Sequence, residues 1–261
     1  MTDPRIQARR VRVERERGHR RLSLLLAVLA AAGLSAGALA VLHSKLFSAR
    51  TVVIAGAVHT SRAEILKVSG LVQEPPLIDL NVTVMQGRLD SLPWVSTASV
   101  HLAWPSSVGI DVVERVPVAT SALVGGGYAL VDATGRVLAD QSLRPSGLPL
   151  VELGSISPPG SSLGASARPL LEAAAELPVS LLPRVQEIVA SPEGGIVVRL
   201  DGGLKAVMGD DDALAEKFVS LATVLSRVDL TGVGGIDLSV AASPVLTPLV
   251  TASNVHGKGD G

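Results

Sequence analysis

Asp210-Asp211-Asp212 brings together the residue type that holds hard cations, and Gly232-Val233-Gly234-Gly235 has the glycine density of a phosphate-cradling loop. Neither pattern sits in the right setting. Carboxylates at a helix start offset the positive end of the helix dipole and cap free N–H groups, and Asp210 to Asp212 precede a strongly amphipathic stretch. A phosphate loop must lead into a helix, whereas the four residues at 232–235 lead into the strand-like run Gly235 to Val240. The histidines, at 19, 43, 59, 101 and 256, form no HExxH or other ligand-like pair, and the chain has no cysteine to serve as thiolate ligand or nucleophile. GxSxG, SxxK and GxxxxGK[ST] are all absent. With only two Trp, one Tyr and two Phe there is little to stack on sugars or bases. These residues predict no enzyme, no catalytic residue, no metal site, no cofactor, no small-molecule substrate and no nucleic-acid partner.

The elements that would position any site begin with a membrane anchor. Residues 22–42 contain no charged side chain, and 21 residues at about 1.5 Å each span roughly the 30 Å hydrocarbon core of a bilayer. Residues 1–21 carry eight arginines against Asp3, Glu14 and Glu16. That tail is therefore +5, and the −1 of the whole chain leaves an acidic −6 for the rest. The positive-inside rule places the tail in the cytoplasm and the remainder outside. Ala38-Leu39-Ala40 fits a signal-peptidase pattern, but the long basic region and long apolar run favour an uncleaved single-pass anchor. Gly33 and Gly37 form a GxxxG that would admit a second helix.

After the span, Ala49 to Gly56 reads as a strand and residues 60–70 as a helix capped by Thr60 or Ser61 and stopped by Gly70. Asn81 caps a second helix that ends before Pro93. Val95 to Ala103 and Val108 to Val116 form a hairpin around Trp104-Pro105-Ser106-Ser107. Short strands follow near 128–131, 136–139, 150–153, 185–190, 195–200 and 204–208, with helices at about 163–177 and 211–228 and a last strand at 235–240. From about Leu246 the chain reads as a flexible tail. The fold class is α+β: one N-terminal transmembrane helix, a β-α-α-β-β domain, then a β-rich domain with two helices.

Leu92-Pro93-Trp94-Val95, Ala98-x-Val100, Trp104-Pro105, Glu114-Arg115-Val116-Pro117-Val118-Ala119 and Leu130-Val131-Asp132-x-x-Gly135-x-Val137, in that order behind one span, resemble the FtsQ/DivIB family of bacterial cell-division proteins. The resemblance covers about residues 22–245 and is weakest at 140–185. It implies a cytoplasmic tail at 1–21, a transmembrane helix at 22–42, a POTRA domain at 47–116, a β domain at 117–245 and a flexible tail at 246–261. It also implies a non-catalytic divisome scaffold in the cell membrane, N-terminus cytoplasmic, enriched at the septum, whose partners are FtsB-like and FtsL-like bitopic proteins and other divisome members. An exported membrane-anchored enzyme or a POTRA-type chaperone of envelope assembly is the alternative.

Physically, Pro93 stops a helix, Trp94 and Trp104 are core anchors, Pro105 turns a hairpin, and Glu114-Arg115 is an exposed or inter-domain pair. Pro117, Asp132 and Gly135 complete the motif set as structural residues. The partner is expected on a sheet edge, joined by strand addition. In the resembled family that edge follows the long C-terminal helix, which here points to Ile236, Asp237, Leu238, Ser239 and Val240, an internal and fully paired strand being the alternative. Family members often carry larger or charged side chains where Ser239 and Val240 stand. The seven or so residues between Leu42 and the first strand hold the POTRA domain close to the bilayer.

Overall fold

The computed structural model describes residues 4–249, with side chains from Leu22 onward. The tail beyond Leu249, expected to be flexible, lies outside the described residues. The chain divides into two compact units. One comprises the chain up to Ala57 with Ser61–Leu89 and Ala98–Val112, the other Val58–Thr60, Asp90–Thr97 and the chain from Val113 onward. The division does not fall at one point in the sequence, because short segments near 58–60 and 90–97 group with the later residues.

The first unit opens with helix α1 (Pro4–Leu42), whose Leu22–Leu42 stretch is long and apolar enough to cross a membrane and is exposed over nearly all its length. Gly33 and Gly37 have no neighbour within 4 Å of a built Cβ. Strand β1 (Thr51–Ala55) leads to helix α2 (Arg62–Ser69), and Ser61 accepts a hydrogen bond from the Glu64 N–H at 3.2 Å as its N-cap. Gly70 ends α2 at φ 80°, the left-handed conformation that glycine adopts without a Cβ penalty. Helix α3 (Val82–Asp90) is capped by Asn81 Oδ1, which accepts from Val84 N–H at 3.1 Å. Strands β2 (Val95–Ala103) and β3 (Ser107–Glu114) flank the Trp104-Pro105 turn, whose peptide bond is cis.

The sheet order is β1-β3-β2, with β1 parallel to β3 and Thr51 opposite Ser107. Ile65, Met85 and Leu89 from the helices and Val108, Ile110 and Val112 from the sheet are buried together as the core of this layer. Gly56, at φ 81°, lies where a Cβ would come 1.9 Å from the Val112 carbonyl oxygen, so β1 can leave the sheet here only on a glycine.

The second unit holds β4 (Pro117–Ala122), β5 (Tyr128–Asp132) and β6 (Val137–Gln141) as one antiparallel sheet, and β7 (Val185–Ala190), β8 (Ile196–Leu200), β9 (Lys205–Gly209), β10 (Val233–Asp237) and β11 (Val245–Pro248) as another. The strand expected at 150–153 is only a bridge, but it links the sheets: Val151 N–H donates to Thr120 O at 2.7 Å and Glu152 N–H to Ile188 O at 2.9 Å. Helices α4 (Arg168–Glu176) and α5 (Leu214–Arg227) pack on this surface, with Phe218, Leu221, Leu171, Ile188 and Met208 all buried.

Two expectations are corrected here. Helix α5 begins at Leu214, its N-cap is Ala213 at φ 52° and no side chain caps it, so the aspartates do not perform the capping their position suggests. Asp210 instead receives the Nζ of buried Lys217 at 2.6 Å. The tail expected from Leu246 also does not begin there, because residues 245–248 form β11.

Candidate partner-binding site

The segment expected to be the free edge is not one. β10 lies between β9, with which it runs parallel, and β11, with which it runs antiparallel. Ile236 and Leu238 are fully buried, and Leu238 N–H donates to Val207 O at 2.7 Å. Asp237 turns the chain by accepting from Ser239 N–H at 2.9 Å, which holds its carboxyl below the usual range. Ser239 and Val240 lie past the strand, and Val240 is exposed. The alternation of Gly235 to Val240 reflects a strand with one face on the core, and alternation alone cannot say whether a second strand pairs alongside.

That second strand leaves little sequence signal because it is short, wholly exposed, preceded by Pro244 and ended by Pro248. In β11, Leu246 faces Ile236 and Val245 faces Asp237, while Thr247 faces Gly235. The glycines at 234 and 235, superficially like a phosphate loop, are what let β11 approach. A Cβ on Gly234 would lie 2.9 Å from the Leu249 Cα, and one on Gly235 would lie 2.6 Å from Thr247 Oγ1. Beyond β11 no further strand is paired among the described residues, so β11 is the edge of its sheet. The Leu249 N–H donates inward to Gly232 O at 2.8 Å. By the two-residue period of a strand, the N–H groups of Val245 and Thr247 also point inward, and positions 246 and 248 point outward. Pro248, which has no N–H to give, occupies an outward position, the one setting in which an edge strand tolerates proline.

The motif residues gather elsewhere in the second unit. The Trp94 ring stacks on His59 at 4.0 Å with 7° between planes. Glu114 accepts from the backbone N–H groups of Val58, His59 and Thr60 at 2.9–3.0 Å and lies 2.9 Å from His59 Nδ1. Burial works against ionisation of this carboxyl, but the Thr60 amide, the His59 side chain and the other amides outweigh it and lower its pKa from 4.5 to about 2. Its side chain is only 9% exposed, so the carboxylate is a structural anchor.

Glu114→Gln is expected to cost about 3 kcal/mol, the order of its pKa displacement at roughly 1.4 kcal/mol per unit. Because the folded pKa is the lower one, wild type holds this stabilisation above about pH 4.5 and loses it as pH falls towards 2. Thermal unfolding across that window checks it, the variant showing a shallower acid dependence.

Arg115 donates to Val95 O through Nε at 3.0 Å and to Asp132 Oδ2 through Nη1 at 2.8 Å, and its own N–H reaches Trp94 O at 2.7 Å. Asp132, buried, also accepts from Thr134 N–H, Thr134 Oγ1 and Arg136 N–H, which closes the turn that Gly135 completes at φ 84°. Pro117 pairs with Asp132 across β4 and β5. Pro93 lies 3.6 Å from where a Cβ on Gly160 would be. Trp104 stands apart in the first unit, 52% exposed with its ring centroid 6.0 Å from that of Phe47, so it is not a core anchor. Pro105 is exposed beside it. Among these residues, His59, Thr134 and Arg136 carry no local sequence signal, since each acts through a partner distant in the chain or through the turn it sits in. No group of three or more His, Asp or Glu side chains that could hold a metal occurs among the described residues.

Residues 47–115 match the family model of the FtsQ-type POTRA domain, and residues 122–239 match that of the C-terminal domain of the cell division protein FtsQ/DivIB. β11 lies beyond both matches. The chain is 31% identical over 214 residues to the cell division protein FtsQ of Mycobacterium tuberculosis, covering 80% of this chain and 65% of that protein. To FtsQ of Mycolicibacterium smegmatis it is 28% identical over 186 residues, covering 71% of this chain and 54% of the relative. The chain thus spans between about half and two thirds of the length of these relatives. The major extracytoplasmic domain of DivIB from Geobacillus stearothermophilus aligns with 44% of this chain and 98% of its own length, at 21% identity and a TM-score of 0.31. With both domain models matched in order behind one membrane-length helix, on a chain whose motif residues interlock as described, this protein belongs to the FtsQ/DivIB family of bacterial cell-division proteins.

Proposed function

We propose that the protein is a non-catalytic scaffold of the divisome, anchored by Leu22–Leu42 with its N-terminus in the cytoplasm and enriched at the septum. It recruits FtsB-like and FtsL-like bitopic proteins by adding an extended partner segment to β11. The POTRA domain lies at about 47–116 and the β domain at about 117–248. The observation that carries the reading is that β11 is an edge strand with exposed side chains throughout, closing a sheet whose other face is filled by the core. An unpaired edge offers backbone donors and acceptors for affinity and alternate side chains for specificity. The basic tail fixes topology, and the acidic exported part suits a protein partner.

The outward-facing N–H of Leu246 makes a clean test. Leu246→Pro removes a donor that β10 does not use, so the fold should survive with its melting temperature nearly unchanged. Capture of an FtsB-like partner is expected to fall at least about tenfold, the equivalent of roughly 1.4 kcal/mol. Undiminished capture by a folded Leu246→Pro protein would show that β11 is not the binding edge. A uniform membrane signal of a fluorescent fusion in dividing cells would argue against the septal role.

A further inference from the structure

We infer that the Trp104-Pro105 turn, together with Leu46, docks into the phospholipid headgroup layer of the bilayer that α1 crosses, so that the first unit rests on the membrane. The inference rests on reading Leu22–Leu42 as a span. From Leu42 to Phe47 there are five residues, three of them in a 3-10 turn (Lys45–Phe47), which allows at most about 13 Å along the chain. The headgroup layer on one side of a bilayer is about 5–8 Å thick, so groups held at Phe47 lie in it or within about a side chain's reach of it.

The Trp104 turn is held there in three ways. Its ring packs 6.0 Å from Phe47, and Ser106 O accepts from the N–H groups of Arg50 at 3.1 Å and Thr51 at 3.2 Å. His43, the first residue past the span, ties the helix end to the same unit. Its Nδ1 lies 2.8 Å from Leu39 O and its Nε2 3.2 Å from Asp79 Oδ1. Trp104 and Leu46 are nonetheless left 52% and 65% exposed. Large exposed apolar side chains beside a membrane helix, one of them tryptophan, match the amphipathic belt found at bilayer interfaces. Lys45 and Arg50, close to Leu46 in the chain, are also exposed, cations of the kind that reach lipid phosphates over an apolar stem. The Leu39 carbonyl and Asp79 raise the pKa of His43, adding to the cationic character at the helix end. Tryptophan at this place is therefore neither wasted core nor a residue waiting for a protein partner.

The chain has two tryptophans, so Trp94→Phe leaves Trp104 as the sole indole. The full chain carrying that substitution, reconstituted in vesicles of phosphatidylcholine and phosphatidylglycerol, should show blue-shifted emission. It should also show quenching by lipids brominated near the interface and protection from aqueous iodide. Leu34→Trp in a Trp94→Phe/Trp104→Phe background reports the span itself. Iodide-accessible Trp104 fluorescence that bromolipids leave unchanged, alongside bromolipid quenching of the indole at position 34, would overturn the docking alone. If the indole at position 34 also escapes quenching, the span reading fails and takes the docking with it.

Discussion

Asp132→Ala is expected to destabilise the protein by about 3–5 kcal/mol, the range for stripping one partner from a buried ion pair. At roughly 2–4 °C per kcal/mol for a unit of this size, the melting temperature should fall by about 10 °C. The carboxylate is 6% exposed and accepts at both oxygens. Oδ2 takes Arg115 at 2.8 Å, while Oδ1 takes Thr134 N–H at 2.9 Å, Thr134 Oγ1 at 2.7 Å and Arg136 N–H at 2.8 Å. Removing it leaves Arg115, itself 19% exposed, with only Val95 O and Thr134 Oγ1 as acceptors, and leaves the turn amides without theirs. Asp132→Asn keeps an acceptor for the turn but presents an NH2 group to the guanidinium, so about 2–3 kcal/mol is expected. Arg115→Ala should cost less than Asp132→Ala, because the carboxylate keeps its three turn donors. The double variant should fall short of the sum, since both remove the same contact.

The sign with pH follows from the same contacts. Burial pushes the Asp132 carboxyl up, but Arg115, Thr134 and the Arg136 amide outweigh it, so its pKa lies below the usual carboxylate range. Its stabilisation is present above the unfolded carboxylate pKa and lost on acidification, and Asp132→Asn should flatten that part of the acid transition. Denaturant unfolding of wild type and the four variants checks both points.

Where a signal is local, sequence alone located the element. Ser61, Gly70 and Asn81 cap helices because the cap chemistry lies within three residues of the groups it satisfies. The β2–β3 hairpin follows from alternation around a Trp-Pro turn. Legibility failed where a partner is distant. Glu114 looks like one half of a surface pair with Arg115, yet it anchors a loop more than fifty residues earlier, and nothing in Val58-His59-Thr60 announces a carboxylate acceptor. Lys217 carries a charge, yet it is 2% exposed. It is buried because the chain turns at Ala213 and brings Asp210 over its Nζ. The candidate site is half legible: the strand after the long helix is where sequence places it, but Ile236 and Leu238 are core and the strand is paired on both sides, so the edge is the next strand. β11 has no inward-facing side chains to give it a period, only backbone pairing to Gly235, Ile236 and Asp237. An edge strand that buries nothing leaves almost no pattern in sequence.

Phe218→Ala separates these two kinds of residue from the side of the core. Phe218 is one of two phenylalanines in the chain and is fully buried on α5, among the core residues that include Leu221 and Met208. Truncation removes a whole ring from a packed site, for which about 3–5 kcal/mol is expected, while Phe218→Leu, closer in volume, should cost about 1–2 kcal/mol. Both should lower the midpoint of denaturant unfolding with its slope unchanged. In cells the alanine variant should lose partner capture as well, because 3–5 kcal/mol is a large share of the 5–15 kcal/mol of a typical domain and abundance falls with it. Capture normalised to folded protein should then recover, since Phe218 is a core residue of α5 and lies outside β11. Leu246→Pro should show the opposite pattern, with normal abundance and poor capture per folded molecule. A Phe218→Ala protein that stays fully folded and abundant would mean that α5 does not hold the sheet that ends in β11.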